Sequence, residues 1–143
     1  SDFFWNRMMM RAALIRGYSF ATKMGDEVRA WKYRAASTGF IGNPTADHTS
    51  RGFLHECPAR GGSSSCRDYA KSIDGAVILS LVHSRGLGIS LRSPLVAQTV
   101  QRYNELFCRL YPVNQRDSAD GVPGVLYGRY ENDVYGGGNP WVL

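Results

Sequence analysis

Between Val96 and Leu110 the apolar positions Val96, Val100, Tyr103, Phe107 and Leu110 recur at intervals of four, three, four and three. That period lines one face of a helix. Ser93-Pro94 stands just ahead; a serine hydroxyl can accept from a free N–H, and proline loses nothing at the first helical position. The pattern predicts a helix opening at Ser93 and ending before Pro112. A second stripe, Phe4, Met8, Ala12 and Ile15, predicts a helix from about Phe3 to Met24 with Ser1 or Asp2 as its cap. Gly25 closes it, and Asp26 caps a short continuation carrying Val28 and Trp31. Met8, Met9 and Met10 are adjacent on a helix and point to different sides, so they read as core filling rather than a metal or redox box. A third helix is predicted from about Asp68 to His83, where Ile73, Val77, Ile78, Leu81 and Val82 make a wide apolar surface. Gly75 inside it reads as a point of close helix approach. His83, in the last turn, reads as structural, and Arg85-Gly86-Leu87-Gly88 breaks the helix.

The segments between these stripes are polar. Residues 36–65 turn to Gly, Pro, Ser and Thr and read as one long surface loop; Asn114 to Gly124 read as another. No internal repeat is legible. Three amphipathic helices joined by long loops predict an all-α architecture in which loops at one end build a pocket.

Charge narrows the picture little. The net charge is +5 over 143 residues, but the arginines are dispersed, with no basic block or interleaved aromatic platform of the kind that binds nucleic acid. No stretch approaches the roughly 18 consecutive apolar residues of a membrane span. Cys57 and Cys66 bracket Ala59-Arg60-Gly61-Gly62-Ser63-Ser64-Ser65, flexible enough to close a disulfide in an oxidising compartment; two free thiols are the alternative, since spacing does not fix connectivity. Cys108 either packs in its helix or pairs with a cysteine elsewhere. His48, His55, Cys57 and Cys66 fit no familiar zinc spacing, so no metal and no cofactor is assigned. The acidic residues Asp2, Asp26, Glu27, Asp47, Glu56, Asp68, Asp74, Glu105, Asp117 and Asp120 are scattered, and each is expected at a cap or on solvated surface.

The chemistry concentrates at the end of the chain, in Gly128-Arg129-Tyr130-Glu131-Asn132-Asp133-Val134-Tyr135-Gly136-Gly137-Gly138-Asn139-Pro140-Trp141-Val142-Leu143. Three consecutive glycines let the backbone turn sharply and approach a ligand, and Asn139-Pro140 is a helix-start pair. Arg129 offers a rigid fork of donors, and Asp133, four residues on, can orient it through a charge-assisted bond. Tyr135 and Trp141 can supply the apolar faces that a pyranose ring meets. Glu131 and Asp133, two residues apart on one side of the loop, cannot flank a glycosidic bond with room for water.

This loop resembles that of the fungal-type glucoamylases of glycoside hydrolase family 15, which reads Gly-Arg-Tyr-Pro-Glu-Asp, then two residues, then a turn ending Gly-Asn-Pro-Trp. Gly128, Arg129, Tyr130, Asp133, Tyr135, Gly138, Asn139, Pro140 and Trp141 match; Glu131 and Asn132 stand where the family usually has Pro and Glu. Weaker likeness covers residues 1–22, which resemble the segment after the family's catalytic acid, and Ser93-Pro94 with Tyr111-Pro112-Val113-Asn114; residues 23–91 are the least similar. The resemblance implies an inverting hydrolase that removes terminal 1,4-linked α-D-glucose from starch, maltodextrins or other α-glucans. It also implies part of an (α/α)6 barrel of the six-hairpin glycosidase type, an extracellular location and a monomeric parent. Carried over, it gives Arg129 as donor to sugar hydroxyls, Asp133 as its partner, and Tyr135 and Trp141 as ring contacts.

The chain, with no initiating Met and a last residue just past a helix-starting Asn, is expected to be an internal fragment, residues 1–143, of one such catalytic domain. About three core helices would be present. The family's acid would fall before Ser1 and its base beyond Leu143, so no catalytic residue is assigned within the chain, and the isolated chain is expected to be inactive and poorly soluble. The alternative is a non-catalytic carbohydrate-binding or degenerate relative that keeps the loop without the carboxylates.

Overall fold

The computed structural model describes residues 2–40, 43–58, 66, 73–131 and 133. They form a mostly helical structure: α1 (Phe4–Lys23), α2 (Glu27–Ala35), a π-helical turn (Ala36–Phe40), α3 (Pro44–His48), a two-residue antiparallel hairpin of β1 (Thr49–Ser50) and β2 (Phe53–Leu54), then α4 (Ala76–Ser84), α5 (Pro94–Leu110) and α6 (Pro112–Ala119).

The apolar stripes pack as their spacing requires. Phe4 and Met8 of α1, Phe53 and Leu54 of β2, Val77 and Leu81 of α4, and Val96, Tyr103 and Phe107 of α5 form one buried cluster. α1 packs against both α2 and α4, while α5 covers β2 and turns into α6. Gly25 adopts φ +72° between α1 and α2, a left-handed turn that suits glycine. Asp26 then caps α2 by accepting from the Arg29 N–H at 2.9 Å. Ser93 caps α5 by accepting from Val96 N–H at 3.3 Å.

Four expectations are corrected. Phe3, not Ser1 or Asp2, is the N-cap of α1, and it makes no side-chain cap bond; instead the hairpin supplies the acceptors. Phe4 N–H donates to the Glu56 carbonyl at 2.8 Å and Trp5 N–H to the Glu56 carboxyl at 3.3 Å. The stretch after Ala36 is not one irregular loop. Asn43 caps α3 through Ala46 N–H, and the fully buried His48 binds the turn back on itself, its Nδ1 at 3.1 Å from the His55 carbonyl and its Nε2 at 3.4 Å from Arg7. α4 starts at Ala76 rather than Asp68, because Asp74 pairs with Tyr130 in an isolated antiparallel bridge and so leaves helical geometry. Residues 68–72 of that expected helix lie outside the described residues. Finally, the polar stretch after Pro112 folds into α6, pinned by the buried Asn114, whose amide donates to the Phe107 and Leu126 carbonyls and whose oxygen accepts from Leu126 N–H.

Candidate functional site

The Arg129 segment is fastened to the start of α4 through its backbone. Gly75 N–H donates to the Arg129 carbonyl at 2.6 Å, and Asp74 bridges Tyr130. Asp74 is fixed in turn: its N–H donates to the Tyr103 hydroxyl at 3.2 Å, and its Oδ1 accepts from Ala76 N–H at 2.8 Å. Gly75 is thus the N-cap of α4 and the anchor of the Arg129 segment. On the other flank Gly128 is buried against α6, where any Cβ would run into the Tyr111 hydroxyl. That approach demands glycine on steric grounds alone.

Held this way, Arg129 meets Asp133 in a two-pronged pair, Nε to Oδ2 at 2.7 Å and Nη2 to Oδ1 at 2.5 Å. The Asp133 side chain is 1% exposed and that of Arg129 33%. The carboxylate is therefore buried, while the guanidinium keeps about a third of its side-chain surface exposed. The bond to Asp133 raises the Arg129 pKa further above its ordinary value, so the group is a permanent cationic donor. Arg129 also lies over the Tyr130 ring, 5.2 Å from its centroid. Burial, and then the Asp133 charge, push the Tyr111 phenol up.

Next to this pair lies a cleft of about 340 Å³ lined by Phe3, Trp5, Asn6, Glu56, Asp74, Ala76 and Leu79. Its volume is at the low end of the roughly 300–1,000 Å³ of small-molecule sites. Aromatic rings together with amide and carboxyl groups suit a polyhydroxylated ring. Two of its acids are buried rather than on solvated surface, Glu56 4% exposed and Asp74 7%, and both serve the capping alternative, accepting from the helix-start N–H groups of Trp5 and Ala76. Burial, with the like charge of Asp74 adding to it and the Trp5 N–H opposing, pushes Glu56 up to about 8. Burial also pushes the Tyr103 phenol far up.

Of the residues singled out in the sequence, Arg129 and Asp133 come together; Tyr135 and Trp141 lie outside the described residues. Cys57 and Cys66 are joined by a disulfide with Cα atoms 5.5 Å apart, and Cys108 is a half-buried thiol. Among the described residues no group of three or more His, Cys, Asp or Glu is placed to hold a metal. No described helix is long and apolar enough to cross a membrane. Glu56 and Asp74 were not legible as cleft residues, since a lone acid carries no periodic signal, whereas Tyr103 was legible only as a member of the α5 apolar stripe.

Comparison with known proteins agrees with the motif. The chain is 28% identical over 155 aligned residues, covering its whole length, to a glucoamylase of Blastobotrys adeninivorans, of which it spans 24%. It is 37% identical over 62 residues, 40% of its length, to two proteins of Saccharomyces cerevisiae. These are an intracellular sporulation-specific glucoamylase and glucoamylase S1, of which the aligned part spans 11% and 8%. No family model matches the sequence, and no solved structure matches it.

Proposed function

We propose that this chain supplies the Arg129 substrate-binding loop of a glucoamylase-like glycoside hydrolase of family 15, which releases glucose from the non-reducing ends of 1,4-linked α-glucans with inversion. The observation that carries the reading is the Arg129–Asp133 pair: a partly exposed guanidinium oriented by a buried carboxylate, on a segment tied through its backbone to Asp74 and Gly75 at an aromatic and carboxyl-lined cleft. Such a fork donates to vicinal hydroxyl pairs, and its orientation is set before the sugar arrives, which lowers the entropic cost of binding. The similarity to glucoamylases supports the same substrate class.

On this reading the helices are part of an (α/α)6 barrel, and Tyr135 and Trp141 add ring contacts beyond Asp133. The reaction's acid and base would come from other parts of the parent, since the two buried acids of the cleft serve the fold in ways set out below. The parent would be secreted, in keeping with the Cys57–Cys66 disulfide. The test is binding and turnover together. The isolated chain should bind maltotriose, read by saturation-transfer NMR, and should release no glucose from it. Arg129→Ala should weaken binding at least about tenfold, as expected for loss of a charged donor. Unchanged affinity in that variant would reject the assignment of Arg129, and glucose release would reject the placement of the carboxylates.

A further inference from the structure

Glu56 and Asp74 are both more than nine-tenths buried and line the same cleft, and the arrangement gives that pairing a task. Glu56 joins the hairpin to α1, accepting from Trp5 N–H through its carboxyl and from Phe4 N–H through its carbonyl. Asp74 begins the turn whose next residue, Gly75, holds the Arg129 carbonyl. Among the described residues no Lys, Arg or His lines the cleft, and His83 of α4 packs edge-on against the Trp5 ring of its wall. The groups that act on the Glu56 carboxyl are the Asp74 carboxylate and the Trp5 N–H, and both acids act on the Tyr103 phenol from α5. The Arg129 guanidinium acts on Asp74. His48, with Arg7 and Asp47 around it, meets Glu56 through the backbone.

Two buried carboxylates lining one weakly polar cleft cannot both ionise cheaply, because each charge loses its hydration and repels the other. Burial and the Asp74 charge both act against the ionised form of Glu56, which therefore keeps its proton at neutral pH. From this geometry we infer that Glu56 is a positioning residue for Arg129: as the neutral acid it lets the Asp74–Gly75 turn stay seated, and on losing its proton it drives that turn, and the Arg129 backbone bonded to it, out of place. The effect on sugar binding rests on the reading of Arg129 given above; the effect on the turn does not.

The test follows the amides of Gly75 and Tyr130 in the full chain by NMR between pH 5 and 9, with the Glu56 carboxyl carbon observed directly. Both amides should change with the Glu56 titration, well above the ordinary carboxylate range, and lose exchange protection by at least about tenfold relative to Glu56→Gln, the effect of roughly one pKa unit of differential interaction. Glu56→Gln, an uncharged isostere, should hold the turn at every pH and keep maltotriose affinity flat. The same amide transition persisting in Glu56→Gln overturns the inference. So does a Glu56 carbon that titrates in the ordinary range, which can be read in the unaltered chain even if the variant fails to fold. An amide transition without any maltotriose binding keeps the positioning role and rejects the sugar reading instead; pH-insensitive amides with intact binding do the reverse.

Discussion

At the scale of single residues the site depends on what is missing as much as on what is present. Gly128 has no side chain because the Tyr111 hydroxyl occupies the space a Cβ would need, and that ring is itself stacked on Phe107, with centroids 5.8 Å apart. Gly128→Ala must therefore push either the Arg129 segment or the Tyr111 ring, and overpacking of this kind costs about 1–3 kcal/mol. Tyr111→Phe removes the colliding oxygen but leaves ring carbons close to the new methyl, so the double variant should recover part of the loss and not all of it. A double-mutant cycle of denaturant midpoints measures this coupling; purely additive losses would mean that the clash is relieved elsewhere. Arg129 and Asp133 were legible in the sequence because a four-residue spacing of opposite charges inside a known motif is a local signal. Glu56 and Asp74 were not, because their burial depends on α1 and the Arg129 segment, distant in sequence, closing over them.

Helices were legible wherever the signal was local too. α5 combined a sustained apolar stripe, a serine cap and a first-position proline, and it folds from Pro94 to Leu110 as that combination requires. Its cap offers a direct check. Ser93→Ala should cost about 1 kcal/mol of stability, seen as a lower denaturant midpoint with unchanged slope; no change would show that the Ser93 hydroxyl contributes nothing beyond its geometry. The start of α4 was misplaced because Ile73 continues the apolar pattern of Val77 while Asp74 is drawn into pairing with Tyr130, a tertiary contact that overrides local propensity. α6 was missed because its stripe is weak: Asn114 is its buried residue, an amide that satisfies three backbone groups instead of filling apolar space. The hairpin was invisible for a related reason, since two-residue strands held by His48 and by the Thr99 hydroxyl, which accepts from Leu54 N–H at 3.0 Å, carry almost no alternation to read.

For the molecule as a whole, two of the buried titratable groups, Glu56 and His48, set opposing demands on pH. Glu56 is raised on folding from 4.5 to about 8, so between those values the folded state binds more protons than the unfolded one. Stability must then fall as pH rises through that window, and be complete again only below pH 4.5. His48 is lowered from 6.5, chiefly by burial; below pH 6.5 the unfolded state binds the extra proton and stability falls as pH drops. From pH 8 down to 6.5 Glu56 acts alone of these two, and its slope is at most about 1.4 kcal/mol per pH unit. Below 6.5 the two oppose each other. The melting temperature of the chain should therefore climb on acidification from pH 8 to about 6.5 and then level or turn over. Glu56→Gln should remove the alkaline climb while leaving the acid limb, which belongs to His48. A profile that instead stays flat from pH 8 to 6.5 would mean that Glu56 is ionised throughout that window in the folded chain as it is in the unfolded one, and that clustering the two acids around the cleft carries no proton-linked cost there.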